Sequence, residues 1–373
     1  ILRETVERVR TQIRTGDTAD TSLEGIAEQA IARLQELVEP RLKKVINATG
    51  VVLHTNLGRA CLSRRAQSRV QEVMAGYNNL EYNVATGKRG SRYDHVVERI
   101  CCLTGAEDAL VVNNNAAAVM LVLSSLAAGR EVIVSRGQLV EIGGSFRIPE
   151  VLAQSGAKLV EVGTTNKTRL ADYRRAISPQ TAAILKVHTS NFRIVGFAEQ
   201  PEDAELSQLA KEYNIPLIDD VGSGTLLPLR LGDWHEPSIS QRLTAGMDVV
   251  TASGDKLLGG GQAGIIAGAL QWLAPMKTHP LLRALRVDKL TLAALEGTLM
   301  DYQLGEPLID IPVLYMLHQL PQEFKEKAEQ LVVMLYDLQQ YGWQMRVVEM
   351  TSQVGGGSFP GVEIGRWGVK IRW

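Results

Sequence analysis

The pattern of hydrophobic and polar positions changes twice along the chain, and its first stretch predicts helices. Residues 1–44 place apolar side chains at helical spacing among charges of both signs, and the turn-forming run TGDTADTS interrupts them. Ser22, followed by Glu24 and Gly25, stands just before the apolar pattern IAEQAIARLQELV. This arrangement predicts that a second helix begins there, so that 1–44 form an N-terminal helical segment.

From Val45 onward, short β-branched runs alternate with longer helical patterns such as AAAVMLVLSSLAAG and PEDAELSQLAKEY. Several of the short runs are apolar almost throughout, as in strands buried on both faces. Strand and helix in this rhythm predict an α/β fold over 45–295, with a mainly parallel seven-stranded sheet between helices. The seven predicted strands are DALVV (108–112), EVIVS (131–135), KLVEVG (158–163), AAILKV (182–187), IPLIDD (215–220), DVVTAS (248–253) and GIIAG (264–268).

The last stretch, 296–373, predicts a smaller C-terminal α/β domain. Its helical pattern FKEKAEQLVVMLYDLQQY is followed by a short strand-like tail. We expect the closing residues, GVEIGRWGVKIRW, to form strand fragments.

Composition limits the class of protein. With 373 residues, 45% of them hydrophobic and 22% charged, the chain is expected to be globular and to form more than one packed unit. The net charge of −1 requires that any nucleic acid be held by a local basic patch. Three cysteines at unsuitable spacing predict no disulfide framework and no zinc site, and no apolar run approaches the ~18 residues of a membrane span. We therefore expect a cytoplasmic protein without a membrane segment.

Polar residues follow the predicted strands where an open α/β sheet binds its ligands, outside the carboxyl ends of the strands. The run from Asn113 to Asn115 begins a helix and either binds an anion or simply caps that helix. Asp219 and Asp220 end another strand, where a carboxylate needs a cationic partner. A metal ion is one candidate partner, but no other ligand clusters with them at suitable spacing; a protonated ring nitrogen is the other.

The segment SGDKLLGGGQAG sets Lys256 among small residues, either as an ordinary surface lysine or as a desolvated amine that forms a Schiff base. Its glycines permit close approach of a flat cofactor, and Ser253 can donate to a phosphate. In HTSNF, Ser190 or Asn191 could contact a ring hydroxyl, whereas His188 is more simply a half-buried structural residue. The basic loop ATGKRGSRYDHVVER is either solvated or an arm that holds a phosphate or substrate.

The order of these signals matches the needs of pyridoxal 5'-phosphate (PLP). The helix start would bind the phosphate, Asp219 would keep the ring nitrogen protonated, and Lys256 would carry the cofactor. This order resembles the fold-type-I PLP enzymes, the aspartate-aminotransferase superfamily, whose pattern of Asp, any residue and a small apolar residue fits Asp219 and Val221.

Longer motifs resemble one family within that superfamily, the bacterial selenocysteine synthases, which are L-seryl-tRNA(Sec) selenium transferases. The resemblance spans roughly residues 42–300. It is carried by INATGVVLHTNLGRA (46–60), IVSRGQLVEIGGSFRIPEV (133–151), VGTTNKTRLADY (162–173), KVHTSNFRIVGF (186–197), DDVGSG (219–224), SGDKLLGGGQAGII (253–266) and HPLLRALRVDKLTLAALE (279–296).

The resemblance implies an enzyme that converts L-seryl-tRNA(Sec) to L-selenocysteinyl-tRNA(Sec). β-Elimination of the serine hydroxyl would give an aminoacrylyl intermediate, to which selenium from selenophosphate would add. Lys256 and Asp219 would be catalytic, and Asp255 would either assist proton transfer or serve only to shape the turn. The residues implied in cofactor binding are Lys256, Asp219, Asn114, Asn115, Ala116, Ser253, Gln138, Ser190 and Asn191.

Three arginines are implied in binding selenophosphate, because guanidinium groups suit oxyanions. They are Arg59, Arg283 and Arg286, and the last two, three residues apart, are expected on one face of a helix, although such pairs are often only solvated. The family's active site lies between subunits, so Arg89 and Arg92 would serve the neighbouring subunit's site. The expected assembly is a homo-oligomer of dimers joined into a ring, a decamer.

The chain departs from the family pattern at two positions, with Gln138 where the family usually has Glu and Gly261 where it has Pro. Residues 1–44 would be the end of a helical tRNA-reading domain, or the linker after it, and the C-terminal domain would be incomplete. Local basic clusters such as RLKK and LSRRAQSR could follow tRNA phosphates.

Two other functions fit parts of the sequence. One is a PLP-dependent lyase or ammonia-lyase that acts on a free amino acid or an amino sugar acid. The other is a non-enzymatic RNA-binding or scaffolding protein with a degenerate pocket, against which the intact pair of Asp219 and Lys256 argues.

Overall fold

The chain forms two units, Ile1–Asn47 and Ala48–Trp373, in a computed structural model that describes residues 1–142, 146–189 and 191–373. In the first unit, helices α1 (Leu2–Thr15) and α2 (Leu23–Val38) contact each other. Gly16 ends α1 in the left-handed conformation that glycine adopts without strain. The Ser22 hydroxyl accepts a hydrogen bond from the Gly25 N–H at 3.0 Å, and α2 therefore begins where the sequence predicts.

The second unit contains the remaining helices and all the strands of the described residues. The helices are α3 (Arg64–Met74), α4 (Asp94–Thr104), α5 (Asn115–Leu126), α6 (Ile148–Gln154), α7 (Leu170–Ala176), α8 (Asp203–Glu212), α9 (Ile239–Thr244), α10 (Leu270–Thr278), α11 (Leu281–Ala284), α12 (Lys289–Leu304), α13 (Pro307–Asp310), α14 (Pro312–His318) and α15 (Pro321–Met334). The strands are β1 (Val51–Leu53), β2 (Tyr82–Asn83), β3 (Lys88–Arg89), β4 (Asp108–Val112), β5 (Glu131–Ser135), β6 (Glu141–Ile142), β7 (Phe146–Arg147), β8 (Lys158–Val162), β9 (Thr181–Val187), β10 (Leu217–Gly222), β11 (Leu229–Leu231), β12 (Trp234–Glu236), β13 (Val249–Ser253), β14 (Gly264–Gly268), β15 (Gln344–Gly355) and β16 (Ser358–Arg372).

The central sheet confirms the predicted α/β fold with a mainly parallel sheet of seven strands. Its order is β4-β14-β13-β10-β9-β5-β8, and only β14 runs antiparallel to its neighbours. One apolar cluster joins one face of the sheet to α4, α8 and α12, and a second joins the other face to α5, α6 and α10. Because both faces are covered, the strands need apolar side chains on both sides, which explains their nearly continuous apolar sequences.

The end of the chain differs from the sequence expectation. The closing residues are part of one long strand, β16, which pairs antiparallel with β15, and β15 in turn pairs parallel with β1. The expectation of short strand fragments was wrong because it missed the partner strand, in which Val347 and Val348 are followed by a largely polar run. Phe359 and Val354 of this hairpin share a third apolar cluster with Leu257, the neighbour of Lys256.

None of the helices in the described part of the chain combines the length and the apolar character that a membrane span requires.

Candidate active site

Four predicted site residues and His188 lie at one edge of the central sheet. Asn114, Gln138 and His188 follow β4, β5 and β9, whereas Asp219 lies in β10 and Lys256 follows β13. These five strands run in the same direction, so their carboxyl ends lie at the same edge. This is where an open α/β sheet binds ligands.

Lys256 is buried in a loop that glycines fold tightly, and only 7% of it is exposed. The Gly254 N–H donates to the Ala263 carbonyl and the Gly260 N–H to the Gly254 carbonyl, both at 2.8 Å. A Cβ atom at Gly254 would lie 2.7 Å from the Gly261 carbonyl oxygen, so this approach requires glycine. Burial lowers the pKa of the Lys256 amine, although the charge of Asp220 opposes the shift. The loop therefore favours a neutral, nucleophilic amine.

Asp255, beside Lys256, is held by Arg59. The Arg59 Nη1 donates to Asp255 Oδ2 at 2.8 Å, and the Ala60 N–H donates to the Asp255 carbonyl at 3.1 Å. Asp255 is buried, whereas the Arg59 side chain is partly exposed. The structure thus brings Arg59 to the lysine loop across nearly two hundred residues of sequence.

Asp219 is the most deeply buried carboxylate at this edge, with 1% of its surface exposed. Its Oδ2 accepts from Arg242 Nε, and its Oδ1 is buried with no hydrogen-bond partner among the described residues. Asp219 lines a cavity of about 150 Å³ together with Gln138, His188, Val221 and Arg242. Gln138 is fixed there, because its Oε1 accepts from the Val187 N–H at 3.1 Å.

Asp220 is a site residue to which sequence reasoning gave no role beyond a discarded metal site. It accepts hydrogen bonds from Asn115 Nδ2 at 2.8 Å and Thr251 Oγ1 at 3.0 Å, and burial raises its pKa. Successive residues of a strand point to opposite faces of the sheet, so Asp220 faces away from the cavity that Asp219 lines. Its charge acts on Lys256.

The start of α5 shows the capping role, one of the two that the sequence left open for the asparagines. The Asn114 side chain accepts from the Ala117 N–H at 2.8 Å and thus caps the helix, while Ala116 is exposed in the first turn. A side chain at Gly264 would collide with the Asn114 backbone, so glycine permits β14 to approach the helix start. Ser253, at the end of β13, is buried and pairs with Gly264.

His188 lies in the same cavity as Asp219, although sequence reasoning expected only a structural histidine. Its Nε2 is 3.5 Å from Oε1 of Glu236, a buried carboxylate that also accepts from Ser223. Burial opposes the charged imidazole, but Glu236 and the charge of Asp219 together raise the pKa of His188. Glu236 was missed because nothing in its sequence neighbourhood marks it.

The predicted cofactor contact at Asn191 contributes little to this geometry. Asn191 is exposed, and its Nδ2 donates to the Glu141 carbonyl at 2.7 Å. Ser190 lies outside the described residues.

A second cavity, of about 440 Å³, gathers cationic side chains. Glu81 binds three of its arginines, with distances of 3.2 Å to Arg89 Nη2, 2.5 Å to Arg92 Nη2 and 3.4 Å to Arg286 Nη1. Arg92 also donates to the Val287 carbonyl at 2.6 Å and is buried, so it supports this loop within its own chain. Arg283, Lys277 and His279 also line this cavity, and Arg59 does not.

The expectation that Arg283 and Arg286 share a helix face was wrong. Helix α11 ends at Ala284, and Arg286 lies beyond it in a bridge to Val112 of β4. The Leu285 carbonyl accepts from the Asn113 N–H at 3.1 Å, so the segment is drawn to the sheet edge instead of continuing the helix. The two arginines nevertheless line the same cavity.

Within the described residues, no group of three or more His, Cys, Asp and Glu side chains is arranged to hold a metal ion.

The fold and its lysine-centred edge define the class of protein. A solved D-glucosaminate-6-phosphate ammonia-lyase is 20% identical, with a TM-score of 0.65 over 91% of this chain and 82% of that one. A Thermus thermophilus aspartate aminotransferase double mutant is 16% identical, with a TM-score of 0.50 over 89% of this chain and 81% of that one. These likenesses show an α/β fold of the aspartate-aminotransferase kind.

The sequence comparisons then identify the family. The model of the SelA family, L-seryl-tRNA selenium transferase, matches residues 45–373. The L-seryl-tRNA(Sec) selenium transferase of Carboxydothermus hydrogenoformans is 52% identical over 99% of this chain and 80% of its own length. The protein of the same description from Alkaliphilus metalliredigens is 53% identical over 96% of this chain and 78% of its own length. The chain belongs to the L-seryl-tRNA selenium transferase family.

Proposed function

We propose that this protein is a PLP-dependent enzyme that converts L-seryl-tRNA(Sec) to L-selenocysteinyl-tRNA(Sec), with selenophosphate as the selenium donor. The observation that carries the proposal is the buried Lys256 amine at the sheet edge of a chain that belongs to the selenium transferase family. Relatives about half identical over nearly the whole chain are described as L-seryl-tRNA(Sec) selenium transferases.

The residues present fit PLP. The unpartnered Oδ1 of Asp219 is a buried acceptor in need of a donor, which a protonated ring nitrogen would supply. The N-terminus of α5, at Asn114 and Asn115, suits the phosphate, together with Ser253. Lys256 would hold the aldehyde, and Gln138 would lie beside the ring. When bound, the cofactor supplies an electron sink for negative charge at the substrate α-carbon.

The protein's own groups would then move protons around the serine side chain. The Lys256 amine, whose pKa burial lowers, can accept the α-proton and later return it. Asp255 is fixed by Arg59 and precedes Lys256 in the chain. It can assist the proton transfer that accompanies loss of the serine hydroxyl. Selenium from selenophosphate would be added at the carbon that loses the hydroxyl, and cleavage of the selenium–phosphorus bond by water would release phosphate.

The arginine-lined cavity supports the binding of selenophosphate. Arg283 and Arg286, with Lys277 and His279, surround a space of about 440 Å³ that suits an oxyanion. Arg59, which contacts Asp255 in the lysine loop, would bind selenophosphate from that side. Arg92 is held by Glu81 and the Val287 carbonyl, so we assign service of a neighbouring subunit's site to the exposed Arg89 alone.

The remaining proposals rest on the family resemblance. We assign residues 1–44 to the end of a tRNA-reading domain or to the linker after it, cofactor binding to 45–295 and a smaller domain to 296–373. The protein would act in the cytoplasm as a ring of dimers, a decamer, in which the active site lies between subunits.

The test is to load the protein with PLP and supply seryl-tRNA(Sec) with selenophosphate, with free serine as a parallel substrate. We expect selenocysteine on the tRNA, no turnover of free serine, and loss of the product in Lys256→Ala because the reactive amine is gone. An Arg283→Gln variant should raise the KM for selenophosphate and leave PLP binding unchanged.

Two results would contradict the proposal. Turnover of free serine without tRNA would assign the protein to the lyases that act on free amino acids. Equal product from wild type and Lys256→Ala would remove the lysine from the mechanism. An Arg174→Gln variant, which breaks an exposed ion pair with Glu212, is the control for effects of losing an arginine.

A further inference from the structure

A single guanidinium connects Asp219 to a second buried acid. Arg242 lies in α9 with its side chain 13% exposed. Its Nε donates to Asp219 Oδ2, and its Nη1 donates to Asp203 Oδ2 at 2.6 Å. Because the guanidinium is planar and its donors are fixed, a contact on one side sets the direction of the contact on the other.

Asp203 is itself held by a second cation. Lys186, in β9, contacts Asp203 Oδ1, while Arg242 occupies Oδ2 of the same carboxylate. Burial alone would raise the pKa of Asp203, but Lys186 and Arg242 lower it overall. The four groups therefore alternate in charge from Lys186 through Asp203 and Arg242 to Asp219, and they anchor Arg242 between α8, α9 and β9.

The last of these four charged groups is the Asp219 carboxylate, and its outer oxygen is Oδ1. It is buried, it has no hydrogen-bond partner among the described residues, and its residue lines the cavity of about 150 Å³. Arg242 occupies only Oδ2, so the carboxylate cannot rotate without losing that contact. A buried acceptor left without a donor is costly, which points to a ligand that brings a donor.

We propose that Arg242 is a positioning residue, which fixes the Asp219 carboxylate so that Oδ1 accepts the N–H of the cofactor's ring nitrogen. The inference rests on the proposed function, because it takes the cofactor to be PLP. In this role Arg242 acts on the cofactor through Asp219. Its effect therefore depends on whether the ligand carries a ring nitrogen.

The experiment compares PLP with its deaza analogue, in which a C–H replaces the ring nitrogen. Both are titrated into the cofactor-free protein, and affinity is read from the absorbance of the bound ligand. We expect wild type to prefer PLP about tenfold or more, as one charge-assisted hydrogen bond would give. Arg242→Gln should bind the two ligands nearly equally, and Arg242→Lys should keep part of the preference because it keeps the charge.

If Arg242 has only a structural role, Arg242→Gln should lower the affinity for both ligands by the same factor. If Arg242→Gln loses affinity but keeps the wild-type preference for PLP, the inference is wrong. Arg174→Gln, at an exposed ion pair of 2.7 Å, should retain the wild-type preference. If Arg242→Gln does not fold, Asp203→Asn replaces it: loss of the anchor should reduce the preference, and an unchanged preference would overturn the inference.

The two proposals fail in different ways. Wild type that binds PLP through Lys256 but does not prefer it to the deaza analogue would refute the role of Arg242 and leave the proposed function standing. Wild type that does not bind PLP would refute both.

Discussion

At the scale of single residues, the site depends on how burial changes the chemistry of one amine. The glycines around Lys256 let backbone pack where side chains would otherwise stand, and the amine loses water. Desolvation disfavours the charged form, so the pKa of Lys256 falls below the ordinary lysine value. A neutral amine is the form that attacks an aldehyde.

This shift predicts the pH dependence of cofactor attachment. The rate of PLP attachment to the cofactor-free protein should rise with pH and level off at a midpoint below 10.5, the ordinary lysine pKa. Asp220→Asn should lower the midpoint further, because the charge of Asp220 raises the pKa of Lys256. Stopped-flow absorbance between pH 6 and 11 measures both, with Nα-acetyllysine as the reference amine. A midpoint at or above that of the reference would contradict the prediction.

Sequence reasoning could name Lys256, Asp219 and the asparagines because each stands at a strand end in a recognisable local frame. It could not name Arg242 or Glu236, because their contacts depend on how α9 and the β11–β12 hairpin pack against the sheet. It also gave Asp220 no role of its own, because the partners of Asp220 follow from the face of β10 that it occupies.

At the scale of elements, helix α12 lies against α3 with Gly297, which has no side chain, at the point of contact. A Cβ atom at Gly297 would lie 2.6 Å from the Ala66 Cα and 3.0 Å from its nitrogen. Both neighbours are backbone atoms and cannot rotate away, so the two helices approach as closely as they do because Gly297 has no side chain.

Gly297→Ala should therefore destabilise the protein. Alanine favours a helix over glycine by about 1 kcal/mol, but forcing the two helices apart typically costs about 1–3 kcal/mol or more where backbone is struck. We expect a net loss, seen as a lower midpoint of thermal unfolding. Gly76→Ala is the matched control, since a Cβ there meets nothing within 4 Å, and it should change the midpoint little. A variant at Gly297 as stable as wild type would show that the packing can relax.

Elements with a strong local pattern were predicted well, and those defined by distant partners were not. The runs DALVV, EVIVS and GIIAG have the bounds of β4, β5 and β14, because their residues are buried on both faces. Helix α11 is shorter than its sequence suggests because Leu285 and Arg286 bond to the end of β4. The β15–β16 hairpin has mixed exposure, and its pairing is visible only in three dimensions.

At the scale of the whole molecule, every candidate site residue lies in the unit Ala48–Trp373. That unit contains the central sheet, its covering helices and all three apolar clusters. The unit Ile1–Asn47 is a helical pair with few buried residues of its own.

A fragment of residues 48–373 should fold and bind PLP with nearly the affinity of the full chain. Circular dichroism would report its folding, and titration with PLP would report the site, with Lys256→Ala in the same fragment as the control. Loss of PLP binding in a folded fragment would mean that 1–47 contribute to the site. The proposed role of 1–44 adds that the fragment should bind seryl-tRNA(Sec) more weakly.

The strand order of the central sheet has a consequence for how the protein is made. β4, which leads into the helix start at Asn114, lies at an edge of the sheet, and its neighbouring strand is β14, whose residues come after Ala263. A chain emerging from the ribosome therefore completes β4 long before its partner strand exists. The pairing closes a long loop and is expected to be slow, so the nascent chain acquires its cofactor site only after β14 has been synthesised.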